Sequence, residues 1–180
     1  MFKTLKNKIQ KKIDETDNLN DCLKYICDLL KNNLNGYDWV GFYFHVEKKN
    51  HLELLVFSGI PTEHTKIPFG KGICGQTAIS NSSYLTGDVS KEENYISCNI
   101  NVKSEIVVPI LNSDNINIGQ IDIDSNNLEI LLNDLPTYSK INNEIDSVKV
   151  LNKSALKFEI ASTNNDSIFN IVTTEDIDIK

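Results

Sequence analysis

The chain has 180 residues, 40% of them hydrophobic and 24% charged, which suits one soluble domain with a core and an appendage. Its net charge of −7 argues against a nucleic-acid or anionic-membrane surface. All 18 basic residues are lysines, so an anionic ligand must be met by Lys, backbone N–H groups or a helix N-terminus, not by a guanidinium fork.

Phe2, Leu5, Ile9 and Ile13 recur at helical spacing with lysines between them. That segment is amphipathic and has no continuous apolar stretch, so it does not read as a signal peptide. A second helix is predicted from an N-cap at Asp17 or Asn18. It carries Leu19, Cys22, Leu23, Ile26, Leu29 and Leu30 on one face, and Asn35-Gly36 marks its end. From residue 38 to 46 the period changes to two. Val40, Phe42, Phe44 and Val46 form a face for a helix layer to cover. Trp39, Gly41, Tyr43 and His45 form an aromatic, semi-polar face that suits a pocket wall.

Residues 52–58 read as the next antiparallel strand. Residues 59–103 are loop-rich, with one short helix expected after Gly75. Residues 105–111 and 116–124 are strands joined by the turn 112–115. Beyond Pro136, residues 139–151 read as helical, and 156–161 and 168–173 as strands. Two helices followed by a mostly antiparallel sheet indicate a two-layer α+β domain whose loops, over one sheet face, make the site.

Four cysteines are present. No apolar run approaches the roughly 20 residues that span a bilayer, so a cytoplasmic setting with reduced thiols is expected. Cys22 and Cys27 lie among Leu and Ile and read as core residues. Cys74, in IPFGKGICGQ (67–76), and Cys98, in NYISCNINVKSE (94–105), lie among loop signals and are the candidate reactive thiols. Turn N–H groups, Lys71 or a following helix N-terminus are candidates for activating Cys74.

No C-x-x-C or H-x-x-x-H spacing is present, and His45, His51 and His64 are scattered, so no metal is expected. G-x-S-x-G is absent, and GKGICG lacks the Ser or Thr of a phosphate-binding loop. A turn symmetric about residues 113–114 sets Glu105 opposite Asp122, with Asp124 on the same face. Opposed carboxyls repel, and one of them keeps its proton, as a general acid requires. Alternation alone equally lets Asp122 and Asp124 point to solvent, and a one-residue bulge would break the register.

DWVGFYF (38–44), PTEHT (61–65), IPFGKGICGQTA (67–78), DVS (88–90), YISC (95–98), SEIVVPI (104–110) and IGQIDIDS (118–125) occur in this order. Together they resemble the GAF-domain free methionine-(R)-sulfoxide reductases, over roughly residues 17–126. The resemblance implies an N-terminal amphipathic helix at 1–16, a GAF core at 17–126 and a divergent C-terminal extension at 127–180. It also implies thiol-dependent reduction of free methionine-(R)-sulfoxide, with Cys98 as nucleophile and Cys74 as resolving thiol. Glu105, Asp122 and Asp124 would surround the sulfoxide, and Trp39, Tyr43, Ile96 and Ser97 would bind substrate. No bound cofactor is implied; a thioredoxin-type thiol donor and a homodimer are. The alternative within the same fold is a small-molecule sensor without turnover. Two departures stand out. His64 occupies the place of a third cysteine carried by many relatives, and residues 127–180 show no clear version of the family's closing helix.

Overall fold

The computed structural model describes residues 2–46, 49–96, 99–112, 114–128, 131, 157–163 and 166–173. Helix α1 spans Phe2–Glu15 and helix α2 spans Leu19–Asn33. The side chain of Asn18 caps α2 by accepting from the Asp21 N–H at 3.1 Å, as its position before the apolar run predicts. The helix ends at Asn33 with Leu34 as its C-cap, immediately before the expected Asn35-Gly36 pair, and the Leu34 N–H closes the last turn on the Leu30 carbonyl. Gly36, at φ 83°, instead shapes the turn into the sheet.

The sheet strands are β1 (Trp39–Val46), β2 (His51–Ser58), β3 (Lys66–Pro68), β4 (Tyr84–Thr86), β5 (Ser104–Asn112) and β6 (Asn117–Ser125). Helix α3 spans Gly72–Ser80. The order is β3-β2-β1-β6-β5, all antiparallel, and β4 lies along the outer edge of β5. A hairpin of β7 (Lys157–Thr163) and β8 (Asp166–Thr173) continues the sheet, with β8 pairing parallel to β5 at residues 110–112. The strands expected at 156–161 and 168–173 fall in this hairpin. The helix expected at 139–151 lies outside the described residues. Two short strands, β3 and β4, cross the segment read as loops.

Alternation divides the sheet into two faces. Val40, Phe42, Phe44, Ile106, Val108, Ile110, Ile121 and Ile123 pack against Leu5 and Ile9 of α1 and Leu23, Ile26 and Leu30 of α2. Cys22 and Cys27 belong to this layer, and burial pushes the Cys22 thiol up to about 11 and that of Cys27 higher still. Trp39, Tyr43, Leu52, Ile67, Ile73, Cys74, Ala78 and Val107 form a second layer on the opposite face, beneath α3 and the loops. Each fully buried Phe or Ile contributes roughly 1.5–3 kcal/mol relative to exposure.

Candidate functional site

The acidic row is built by register. Sequence symmetry pairs Glu105 with Asp122, but the structure pairs Glu105 with Asp124 and sets Asp122 opposite Val107. Two one-residue offsets cause the difference. The turn is longer by one, so Leu111 meets Asn117, and a bulge then leaves Ile118 without an opposite residue before Ile110 meets Gly119. Either offset alone would move Asp122 and Asp124 to the helix-covered face. Together they cancel, and Gln120, Asp122 and Asp124 all stand on the face of Glu105, Trp39 and Tyr43.

Helix α3 brings the thiol. It begins at Gly72, before the expected start after Gly75, so Cys74 lies in its first turn, and the residue is buried (3% exposed) rather than sitting on an exposed loop. The entry turn depends on Gly72. Its φ is 63°, and a Cβ there would come within 3.2 Å of the Ile96 Cβ. The Cys74 sulfur, a Glu105 oxygen and an Asp122 oxygen all lie within 4.8 Å of one another. The cluster opens into a cleft of about 190 Å³, counting its mouth, lined by Ile67, Lys71, Gly72, Ile73, Cys74, Ile96 and Glu105.

The carboxyls are deeply buried, with Glu105 2%, Asp122 0% and Asp124 1% exposed. Burial raises the Glu105 pKa well above the carboxylate range, and the charges of Asp122, Asp124 and Glu92 add to the effect. Burial pushes Asp122 up to about 7, while the Cys74 thiol and the Ile123 N–H favour its charged form. By distance and angle neither Asp122 oxygen has a hydrogen-bond partner among the described residues. Asp124 is raised first by burial and then by the Asp122 charge, and its oxygens are likewise unpartnered among the described residues. Burial and mutual repulsion thus bias the row toward the protonated form, in which a carboxyl donates as well as accepts.

Trp39 and Tyr43 anchor the neighbouring loop. The Trp39 Nε1 donates to the Ile60 carbonyl at 3.1 Å, and the Tyr43 hydroxyl donates to the His64 carbonyl at 3.0 Å. Trp39 also stacks on Phe57 at 5.7 Å. Its indole lies directly over Gly41, where an added Cβ would come within 2.1 Å of the ring, so the glycine is a steric requirement of the tryptophan. Both rings are buried beneath the loop, and neither borders the cleft beside Cys74. His45 packs on Phe69 at 4.8 Å, and burial lowers its pKa to about 4, so it is neutral at pH 7.

Of the residues expected to form the site, Cys74, Glu105, Asp122 and Asp124 converge, and Ile96 lines the cleft beside them. Ser97 and Cys98 lie outside the described residues. Sequence reading missed Glu92, whose charge reaches Glu105 and which accepts a 2.7 Å hydrogen bond from Tyr84. Only the β4–β5 pairing links these residues, and no sequence spacing announces it. It also missed Gln120, a buried amide whose side-chain atoms have no partner among the described residues; its period-two relation to Asp122 was the available signal.

No family model matches the chain. Among curated relatives, the free methionine-R-sulfoxide reductase of Saccharomyces cerevisiae is 37% identical over 108 residues, 59% of each chain, so the match spans less than two thirds of that relative's length. Among solved structures, the free methionine-R-sulfoxide reductase of Neisseria meningitidis in complex with its substrate is 34% identical. It superposes with a TM-score of 0.65 over 69% of this chain and 72% of that one. A putative GAF sensor protein from Burkholderia vietnamiensis is 29% identical with a TM-score of 0.65, over 71% of this chain and 78% of that one.

Proposed function

We propose that this chain, which belongs to the GAF-domain free methionine-(R)-sulfoxide reductase family, reduces free methionine-(R)-sulfoxide to methionine at the expense of thiols. The observation that carries this reading is the convergence of the Cys74 thiol with the buried carboxyls of Glu105 and Asp122 beside one cleft, with Asp124 next along the same strand face.

In the proposed reaction the Cys98 thiolate attacks the sulfoxide sulfur. A protonated carboxyl of the Glu105, Asp122 and Asp124 row delivers a proton to the sulfoxide oxygen. The oxygen passes to the cysteine, methionine leaves, and Cys98 becomes a sulfenic acid. Cys74 condenses with it, releasing water and forming a disulfide. A thioredoxin-type dithiol then reduces that disulfide by exchange. The protonation state supports the carboxyl role, because a developing S–O charge in a buried site needs a donor already carrying its proton. Ile96 borders the cleft and, with Ser97, is the proposed substrate contact, while Trp39 and Tyr43 shape the site from beneath by holding the loop at residues 60 and 64. With His64 in place of a third cysteine, Cys74 is the resolving partner in this scheme.

The proposal extends to a cytoplasmic homodimer with the GAF core at 17–126, flanked by the helix at 1–16 and the extension at 127–180. Among the described residues no helix is long and apolar enough to cross a membrane.

The test is turnover of free methionine-(R)-sulfoxide by wild type, Cys98→Ser and Cys74→Ser with a dithiol donor. The proposal expects sulfenic acid to form in Cys74→Ser and not in Cys98→Ser. The opposite pattern reverses the two roles. The likeness to a putative GAF sensor favours a second reading, ligand binding without turnover. Saturable binding of methionine sulfoxide with no thiol-dependent loss of it selects that reading.

A further inference from the structure

We propose that Cys74, Glu105 and Asp122 also form a binding site for a thiophilic divalent cation of the zinc and cadmium class. Among the described residues this is the one group of Cys, His, Asp and Glu side chains whose ligand atoms draw this close, one sulfur and two carboxylate oxygens mutually within 4.8 Å. The second observation is independent of that spacing. Asp122 is completely buried and directs into the cluster a carboxyl group, which gives up its proton on coordinating a cation and whose two oxygens have no hydrogen-bond partner among the described residues. Asp124, two residues along the same face, repeats the pattern. Buried polar atoms without partners cost about 1–3 kcal/mol each, so a ligand that satisfies them is strongly favoured.

The donor set selects the cation. Magnesium and calcium prefer six or more oxygens, whereas a thiolate with two carboxylates suits zinc or cadmium. With zinc–sulfur near ~2.3 Å and zinc–oxygen near ~2.1 Å, tetrahedral donors stand roughly 3.5 Å apart. The cluster therefore contracts by about 1 Å on loading, within the reach of side-chain rotation on fixed strands. Three protein donors leave the fourth position to water, as in an open zinc site. The cleft beside Cys74 supplies the entry path. The consequence for turnover rests on the reductase reading: a cation coordinated by the Cys74 sulfur blocks disulfide formation, so loading and catalysis exclude one another.

The experiment measures binding without any sulfoxide, so it stands apart from the reductase reading. Reduced full-length protein is titrated with zinc against a chromophoric chelator, and cadmium is followed by its thiolate charge-transfer absorbance. One cation per chain is expected in wild type and in Cys98→Ser. Cys74→Ser should abolish the cadmium band, and Asp122→Asn and Glu105→Gln should each weaken zinc binding at least about 10-fold. Circular dichroism confirms that each variant is folded. Absence of stoichiometric binding, retention of the cadmium band in Cys74→Ser, unchanged affinity in both folded carboxyl variants, or loss of binding in Cys98→Ser each overturns the donor set.

Discussion

Phe42, Ile121 and Ile123 point to the helices, while their immediate neighbours Gly41, Asp122 and Asp124 point to the loops. The same two strands thus carry a dry apolar layer on one face and, on the other, the buried acids of β6. Alternation makes the two faces nearly independent in composition, though not in position. The apolar face supplies stability and holds the strands in place. The acidic face holds charge-bearing groups at a cost in solvation, which only a rigid, well-packed partner face can sustain. The two faces therefore answer mutation differently.

The largest effect is expected from Glu105→Gln. If the acidic row donates the proton, turnover should fall by about 10²–10⁴-fold with the denaturant midpoint unchanged or raised. Equal turnover in the variant would remove Glu105 from the chemistry. The mirror experiment is Phe42→Ala, expected to cost about 3–5 kcal/mol in urea unfolding while the remaining folded fraction keeps its KM. A collapse of KM with little loss of stability would show that the helix-covered face shapes the site directly.

The third test concerns pH. Asp122 moves from 3.8 to about 7 on folding, so the folded state holds its proton over a window in which the unfolded chain releases it. Stability should therefore fall as pH rises from about 4 to about 7 and level off above. With metal chelated, Asp122→Asn should flatten this slope and be more stable than wild type at pH 8, by a few kcal/mol, roughly. Superimposable pH–stability curves would mean that Asp122 does not carry this burial cost. The smallest effect is expected from Asn18→Ala, which removes the α2 cap on the far side of the sheet. It should cost about 1 kcal/mol and leave turnover unchanged, and a change in turnover would break the separation between the faces.

Much of the apolar face could be read directly. Val40, Phe42 and Phe44 declare a covered face by period two, and Asn18 declares a helix start by its position before an apolar run. These are local signals, and local geometry is sufficient to produce them. Trp39 and Tyr43 were placed on the opposite face by the same logic. Their hydrogen bonds to the carbonyls of residues 60 and 64 were not readable, because those loop groups arrive from another part of the chain.

The acidic site lay at the limit of such reading. Glu105, Asp122 and Asp124 were named from one face of a hairpin, but their register was misjudged by two residues. The longer turn and the bulge at Ile118 are decided by how β6 seats against β1 as well as β5. Burial of Cys74 was missed because GKGICG reads as a loop by its glycines. In the fold Gly72 allows the tight entry into α3 instead, with Ile96 packed against it.

By itself, then, the sequence determined the alternation of the strands, the helix start at Asp17 or Asn18 and the residue types at the site, all set by interactions within a few positions. Only the tertiary structure decided that a thiol from α3 meets carboxyls from β5 and β6 within 4.8 Å. It also decided that those carboxyls hold their protons to higher pH than free carboxylates do. Both follow from the exclusion of water when the loops and α3 close over one sheet face, a property that belongs to the packed layers and to no single stretch of chain.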